Sequence, residues 1–271
     1  MIPKIIHFCW LSGDPYPELV ENCIRSWKTK LPDYEFMLWD TNRFDITSTI
    51  WTQQAFDAKK YAFAADYIRL YALYHYGGIY LDTDVQVLKS FDDLLHLPYF
   101  MGNQFDGYME AAIIGTEKHQ KWTMDCLGYY ADRPFIRDDG SQDTIILPAI
   151  IEKQIEKTRS IYRLSDTQAH NISELIEDQN KFLLLPSGYF SPKDFKTKKI
   201  SKTENTYTVH HFDSAWLSNL NKLRLSLERL IGDDNAEKII RYTGIRKLIK
   251  GVNLEPNKTA VAQNHLEHYP S

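Results

Sequence analysis

The chain has few cysteines, no long apolar run and no marked excess of charge. Its three cysteines among 271 residues lie far apart, so we expect reduced thiols in a core instead of a disulfide or metal framework. The net charge of −4 gives no general case for nucleic-acid binding. No segment approaches the roughly 20 apolar residues of a membrane span, and the apolar part of MIPKIIHFCW is too short for a signal peptide. We therefore expect a cytoplasmic protein.

The composition is that of an ordinary globular protein. Hydrophobic residues make up 43% and charged residues 25% of the chain, which makes a disordered or membrane protein unlikely. Its 271 residues can form one large domain, or one domain with an extension. Residues 4–10, 17–30 and 34–39 read as strand, helix and strand, which predicts a βαβ unit. Ligands of such folds bind beyond the carboxyl ends of strands, so Trp10 is a candidate for a nucleotide site. A position in the core is the alternative for Trp10.

Residues 66–84, DYIRLYALYHYGGIYLDTD, are the most informative stretch. Apolar residues recur at helical spacing up to Gly77 and Gly78, which are expected to end the helix because glycine accepts a left-handed backbone. Asp66 and Arg69 are three residues apart on this helix and should emerge as neighbours. Residues 79–85 are predicted to form one strand, with Tyr80, Asp82 and Asp84 on the same side.

Two carboxylates at the end of an apolar strand can hold one hard cation. Asp82 and Asp84 would share a divalent ion, Mn²⁺ or Mg²⁺, that also binds the oxygens of a nucleotide diphosphate. The ion and Arg69 would then stabilise charge on a departing diphosphate. An isolated D-x-D also occurs by chance, so a solvated strand end is the alternative.

A complete metal site needs a further ligand, and the adjacent His210 and His211 near the end of a late strand are the candidates. Successive residues of a strand point to opposite faces, so only one of the two should reach the metal. A structural role for the pair is the competing interpretation.

Two further segments carry structural expectations. The acids of residues 137–143 are interpreted as solvated loop residues, with ligand contacts as the alternative, and the helix expected over residues 144–157 should kink at Pro148. Residues 217–251 hold eight lysines and arginines against four acids and are predicted to form a basic helical extension. This extension can lie on anionic lipid or pack on the domain, and residues 252–271 should form a loose tail.

Three segments of the sequence resemble glycosyltransferase family 32, the group with the DXD sugar-binding region. They are IIHFCWLSG, PDYEFMLWD and FAADYIRLYALYHYGGIYLDTDV, and the resemblance covers residues 1–216. The family includes bacterial capsule and lipopolysaccharide sugar transferases and the yeast initiating mannosyltransferase. A more distant similarity is to the glucosyltransferase domain of the large clostridial toxins. The resemblance implies a GT-A fold, which is Rossmann-like with a mixed central sheet, and retaining hexose transfer from a nucleotide sugar.

The resemblance also implies roles for the residues of the central stretch. Trp10 would stack near the nucleotide base, while Asp66 and Arg69 would bind the donor sugar hydroxyls and the diphosphate. Tyr80 and Asp82 would line the ribose and the sugar. Asp82 also belongs to the expected metal site with Asp84.

The segment HFDSAW resembles the closing motif of the family. His211 would complete the metal site there, and Ser214 and Trp216 would contact the β-phosphate and the leaving oxygen. The toxins carry a carboxylate where His211 stands.

The expected reaction is a front-face transfer, in which the acceptor hydroxyl attacks from the side that the diphosphate leaves. A covalent route would need a carboxylate nucleophile, for which Glu110 is the candidate. The expected donor is a UDP-hexose, with GDP-mannose as the alternative. The expected acceptor is a saccharide that is lipid-linked or part of a surface polysaccharide, and membrane contact is expected through residues 217–251. There are two rival interpretations. One is a metal-dependent phosphohydrolase or nucleotidyltransferase, and the other is a non-catalytic carbohydrate-binding module.

Overall fold

A computed structural model describes residues 1–104, 107–194, 197 and 199–213. The predicted extension, the tail, Ser214 and Trp216 lie outside these residues. The helices are α1 Glu18–Lys30, α2 Ile50–Asp57, α3 Tyr61–Tyr76, α4 Lys121–Gly128, α5 Leu147–Ile155, α6 Asp166–Ala169, α7 Ile172–Leu175 and α8 Ser187–Phe190. The strands are β1 Ile5–Cys9, β2 Glu35–Trp39, β3 Gly78–Leu81, β4 Val85–Val87, β5 Tyr99–Asn103, β6 Met109–Thr116, β7 Ser160–Arg163, β8 Lys181–Leu184 and β9 Thr208–His210.

The predicted α/β class with a mixed central sheet is confirmed. Five strands form a sheet in the order β2-β1-β3-β6-β5, in which β1 pairs in parallel with β2 and β3. β6 runs antiparallel to both β3 and β5. The βαβ unit of β1, α1 and β2 forms as the hydrophobic pattern predicts. Two smaller sheets pair β4 with β9 and β7 with β8.

Helix α3 is buried on more than the one face that its apolar spacing predicts. Its C-cap residue Gly77 has a φ of 65°, and a Cβ there would lie 2.7 Å from the Lys118 nitrogen. Both observations explain why glycine ends this helix. Buried His7 lies beside the turn, with its Nε2 2.7 Å from the Gly77 carbonyl oxygen and its Nδ1 accepting from the indole of Trp39. The turn into β3 is therefore packed against His7 on one side and against the backbone of Lys118 on the other.

Several expectations about local structure were wrong. Pro148 lies in the first turn of α5, directly after its first residue, and does not kink the helix, because an N–H in the first turn has no partner within the helix. Asp143, expected to be solvated, is 3% exposed and pairs with Arg133 and Arg137, whose charges compensate its burial. Strand β7 and the short helices α6, α7 and α8 were not predicted.

Cys9, Cys23 and Cys126 are buried, as expected for core thiols.

Among the residues that the structure describes, no helix has the length and apolar character needed to cross a membrane.

Candidate functional site

The site lies at one edge of the central sheet, where the carboxyl ends of β1 and β3 meet the beginning of β6. Parallel β1 and β3 end there with Cys9 and Leu81, and antiparallel β6 starts there. The Asp82 amide donates to the Ala112 carbonyl at 2.9 Å, which joins the residue after β3 to β6. This is the edge at which α/β sheets bind ligands.

The two acids of the D-x-D lie on a turn, and the prediction of one strand over residues 79–85 was wrong. Strand β3 ends at Leu81, and β4 begins at Val85 in a different sheet. The Val85 amide donates to the Asp82 carbonyl at 3.0 Å, which closes the turn. Helix α1 holds the end of this turn at Val85, because the buried indole of Trp27 donates to the Val85 carbonyl at 2.6 Å. The turn directs both acids to the edge of the sheet without the alternation of a strand.

Arg69 is a buried cation between two carboxylates. Its Nη2 lies 2.9 Å from Asp82 Oδ1 and 3.5 Å from Asp66 Oδ1. Its Nη1 donates to the Ala111 carbonyl, and its guanidinium lies 4.3 Å from the centre of the Tyr80 ring. We call Asp66, Arg69, Asp82 and Tyr80 the arginine cluster.

Burial controls the charges of the arginine cluster. Burial raises the pKa of Asp66 to about 7, although the charge of Arg69 opposes this change. Burial also raises the pKa of Asp82, again against Arg69, and the neighbouring charge of Asp84 adds to the increase. Asp66 therefore titrates near neutral pH, where most aspartates are fully ionised.

His210 is a second base between two carboxylates, and its side chain is 12% exposed. Its Nε2 lies 3.4 Å from Asp84 Oδ1, and its Nδ1 lies 3.2 Å from Glu110 Oε2. Although burial alone would lower the pKa of His210, the two carboxylates raise it well above the usual value. We call Asp84, His210, Glu110 and the Ser191 hydroxyl, which donates to Glu110, the histidine cluster.

Glu110 is the most enclosed acid of the site, with its side chain 1% exposed. Its Oε1 accepts the Ala112 amide at 2.9 Å, and its Oε2 accepts from Ser191. Burial alone would raise the pKa of Glu110, but His210 and these hydrogen bonds outweigh it and lower the pKa. Glu110 is therefore a carboxylate whose two oxygens are both occupied.

The chain after β9 holds Asp84 in place. The His211 amide donates to the Asp84 carbonyl at 3.0 Å, and the Asp213 amide donates to Asp84 Oδ2 at 2.9 Å. Burial would raise the pKa of Asp84, but His210 and the Asp213 amide lower it far below its usual value. Asp84 is thus charged and oriented by residues more than 120 positions away.

Asp82, Asp84 and His210 can bind a metal together. One ligand atom from each of the three lies within 4.8 Å of the others. Two carboxylate oxygens and one imidazole nitrogen suit Mn²⁺, and a hard oxygen-rich set also accepts Mg²⁺. In the structure the side chain of His210 belongs to this group, whereas His211 contacts Asp84 through its backbone amide. That the His211 side chain is a metal ligand stays a prediction.

The remaining predicted residues lie close to the same edge or outside the described part. Trp10 is half-buried directly after β1, and its indole donates to the Asp14 carbonyl at 2.7 Å and packs edge-on against Tyr16. Tyr80 is 2% exposed and covered by Arg69, so its ring supports the guanidinium. Ser191 was missed because it follows α8, 81 positions from Glu110, and no local pattern connects the two.

Residues 17–101 match the family model described as the glycosyltransferase sugar-binding region containing the DXD motif. The predicted resemblance is thereby confirmed over a segment that contains Asp66, Arg69, Asp82 and Asp84.

Two fungal relatives illustrate the sequence similarity. Inositol phosphoceramide mannosyltransferase 3 of Schizosaccharomyces pombe is 40% identical over 121 residues, which cover 43% of this chain and 34% of the relative. Mannosyl phosphorylinositol ceramide synthase SUR1 of Saccharomyces cerevisiae is 34% identical over 105 residues, 37% of this chain and 27% of the relative. The alignments thus span about a quarter to a third of the length of these curated relatives.

Solved structures with a similar backbone include two glycosyltransferases. The PaToxG glycosyltransferase aligns with a TM-score of 0.41 and 17% identity over 66% of this chain and 77% of that chain. The galactosyltransferase LgtC, solved with donor and acceptor sugar analogues, aligns with a TM-score of 0.40 and 14% identity over 94% of this chain and 98% of that chain.

Proposed function

We propose, from the premise that residues 17–101 carry a DXD sugar-binding region, that this chain is a metal-dependent retaining hexosyltransferase. The observation that carries the proposal is the group of Asp82, Asp84 and His210 at the carboxyl end of β3. Asp82 and Asp84 lie within the matched segment, and His210 is brought next to them by the fold. The donor is a nucleotide-diphosphate hexose. UDP-hexoses are the expectation from sequence, and the names of the mannosyltransferase relatives make GDP-mannose an equal first candidate.

The residues of the site divide the work between the two clusters. A bound Mn²⁺ or Mg²⁺ would neutralise charge on the diphosphate. Asp82, Asp84 and His210 would hold the ion, and Arg69 holds Asp82 in position at 2.9 Å. Asp66 can accept hydrogen bonds from donor sugar hydroxyls in its ionised form. The half-buried Trp10 offers an aromatic surface to the base.

The proposed step is a front-face substitution. The acceptor hydroxyl oxygen forms a bond to the anomeric carbon on the face from which the diphosphate leaves, and the C–O bond to the diphosphate breaks. The proton of the hydroxyl passes to a phosphate oxygen, so the products are the α- or β-glycoside of unchanged anomeric configuration and the nucleoside diphosphate. The enclosure of Glu110 favours this route over a covalent one, because both carboxylate oxygens are already hydrogen-bonded.

The acceptor is proposed to be a saccharide attached to a lipid or a surface polysaccharide. The names of the relatives include inositol phosphoceramide, a lipid, which supports a lipid-linked acceptor. The predicted basic extension of residues 217–251 would bring the protein to the inner face of a membrane.

The proposal is tested by screening nucleotide hexoses for hydrolysis with Mn²⁺. UDP-glucose, UDP-galactose, UDP-N-acetylglucosamine and GDP-mannose are incubated with the protein, and release of nucleoside diphosphate and free sugar is measured. We expect one donor to be cleaved, EDTA to stop cleavage and Asp84→Asn to reduce it at least about 100-fold, because charge stabilisation is the largest catalytic contribution. Asp139→Asn, which alters an exposed loop acid, is the matched control.

Three outcomes would contradict the proposal. Cleavage that persists in EDTA or in Asp84→Asn would exclude the metal, and release of a sugar phosphate would indicate a phosphohydrolase. Binding of a sugar nucleotide without any turnover would indicate a binding module. Comparison of His210→Ala with His211→Ala decides which histidine serves the metal, and the geometry predicts the larger loss for His210.

A further inference from the structure

Glu110 is a fully enclosed carboxylate whose position needs an explanation. Isolated charges are costly to bury, and a buried ion pair is weak support for stability because hydrophobic residues often do as well. Glu110 nevertheless lies on β6 with its side chain 1% exposed. A nucleophile must reach the reacting carbon, and this side chain is turned into the protein.

The contacts of Glu110 fix its orientation. The Ala112 amide binds Oε1 at 2.9 Å, and the Ser191 hydroxyl binds Oε2. Ser191 is itself fully buried, and its amide donates to the Ser187 carbonyl at 2.9 Å at the end of α8. The carboxylate therefore has one orientation, set by β6 on one side and by α8 on the other.

The remaining contact of Glu110 is with His210. A carboxylate only accepts hydrogen bonds, so the proton between Glu110 Oε2 and His210 Nδ1, 3.2 Å apart, belongs to the imidazole. A proton on Nδ1 leaves Nε2 as the nitrogen that can bind a metal, and Nε2 is the atom that faces Asp84. Histidine ligands of metals commonly have such a carboxylate on the other nitrogen.

We propose that Glu110 and Ser191 are positioning residues, which hold the His210 ring so that Nε2 faces the divalent-cation site of Asp82 and Asp84. This inference rests on the proposed function, since it assigns His210 to that site. Glu110 acts through His210 and does not touch the donor. Ser191 acts one step further away, through Glu110.

The test measures binding of Mn²⁺ alone to the metal-free full chain, by the loss of the free-ion signal in electron paramagnetic resonance. Glu110→Gln keeps the shape and one acceptor oxygen but removes the charge, and we expect the Kd for Mn²⁺ to rise about 10- to 100-fold. Ser191→Ala should raise the Kd by a smaller factor. Thr123→Ala removes a buried hydroxyl that bonds the Gln120 carbonyl in α4, and it should leave the Kd unchanged.

A second measurement separates positioning from chemistry. With excess Mn²⁺, Ser191→Ala should regain the kcat of the wild type for donor hydrolysis, because only metal affinity is impaired. If Glu110→Gln loses turnover while its Kd for Mn²⁺ stays at the wild-type value, Glu110 acts at the reaction centre and the inference is overturned. Ser191→Ala keeps the test decisive if Glu110→Gln fails to fold, and an unchanged Kd in that variant would also overturn it.

The two proposals fail in different ways. A wild type that takes up no Mn²⁺, or one whose uptake survives Asp84→Asn, overturns the proposed function and the inference with it. Uptake that is lost in Asp84→Asn but unchanged in Glu110→Gln and Ser191→Ala overturns the inference alone.

Discussion

The arginine cluster and the histidine cluster solve the same electrostatic problem with different cations. In each, one base lies between two carboxylates: Arg69 between Asp66 and Asp82, and His210 between Asp84 and Glu110. Arginine stays charged at every working pH and has no lone pair to offer. Histidine can give up one proton and use the freed nitrogen as a ligand.

This difference suggests a division of roles across the site. The arginine cluster is a fixed pair of charges that holds one acid of the D-x-D in place. The histidine cluster holds the other acid, Asp84. Its contact between His210 Nε2 and Asp84 can be replaced by contacts of both groups with a cation. Asp82 and Asp84 are two residues apart, yet each belongs to a different cluster.

The largest effect is expected from removing the cation of the arginine cluster. Arg69→Met leaves Asp66 and Asp82 without their compensating charge, and it should lower the free energy of unfolding by about 3–5 kcal/mol. Lys121→Met, which breaks the exposed pair with Asp125, should cost no more than about 0.5 kcal/mol. Urea unfolding of both variants measures this, and equal losses would show that Arg69 does not compensate buried charge.

A smaller effect is expected from a buried histidine that lacks carboxylate neighbours. Burial lowers the pKa of His7 to about 4, whereas that of His210 is raised by its two acids. Unfolded His7 binds a proton below about pH 6.5, so between pH 6.5 and 4 the unfolded state holds more protons and stability falls as the pH falls. The loss amounts to about 3 kcal/mol.

His7→Gln isolates this contribution, because glutamine can donate to the Gly77 carbonyl but does not titrate. The free energy of unfolding of the wild type minus that of His7→Gln should fall by about 3 kcal/mol between pH 7 and pH 4. A difference that stays constant with pH would show that folded His7 takes up its proton as readily as an unfolded histidine.

The smallest effect is expected from a change that reaches only the histidine cluster. A Cβ at Gly102 of β5 would lie 2.8 Å from Cδ2 of Phe190, the residue before Ser191. Phe190 is fully buried between Phe100 and Tyr207, so it cannot move freely. Gly102→Ala should therefore cost about 1–3 kcal/mol of stability.

Gly102→Ala should also weaken Mn²⁺ binding, since Ser191 would shift with Phe190. The control is Gly128→Ala at the end of α4, where a Cβ meets nothing within 4 Å and alanine should be neutral or stabilise by up to about 1 kcal/mol. If Gly102→Ala lowers stability but leaves the Mn²⁺ affinity unchanged, the position of α8 does not influence the cation site.

The two clusters also differ in how far the sequence predicts them. Asp66, Arg69 and Asp82 lie within 17 positions, on helix α3 and on the turn directly after β3, so helical spacing predicted Asp66 and Arg69 as neighbours and the glycine turn placed the D-x-D soon after their helix. The contact of Arg69 with Asp82 was not predicted. His210, Glu110 and Ser191 come from three distant segments, and only tertiary pairing of β9 with β4 and of α8 with β5 makes them neighbours. Strand alternation required one histidine of the pair to face the acids, but it did not reveal which one. The turn at Asp82 was missed because Val85 continues the apolar pattern of β3 in a different sheet.

The central claim is that Asp82, Asp84 and His210 form one cation site beside the donor. Crystals soaked with Mn²⁺ and the donor found in the hydrolysis screen, measured at the manganese absorption edge, test it most directly. We predict one anomalous peak within bonding distance of the Asp84 carboxylate and His210 Nε2, next to the diphosphate. A bound donor with no peak there, or a peak that His211 reaches and His210 does not, would contradict the account.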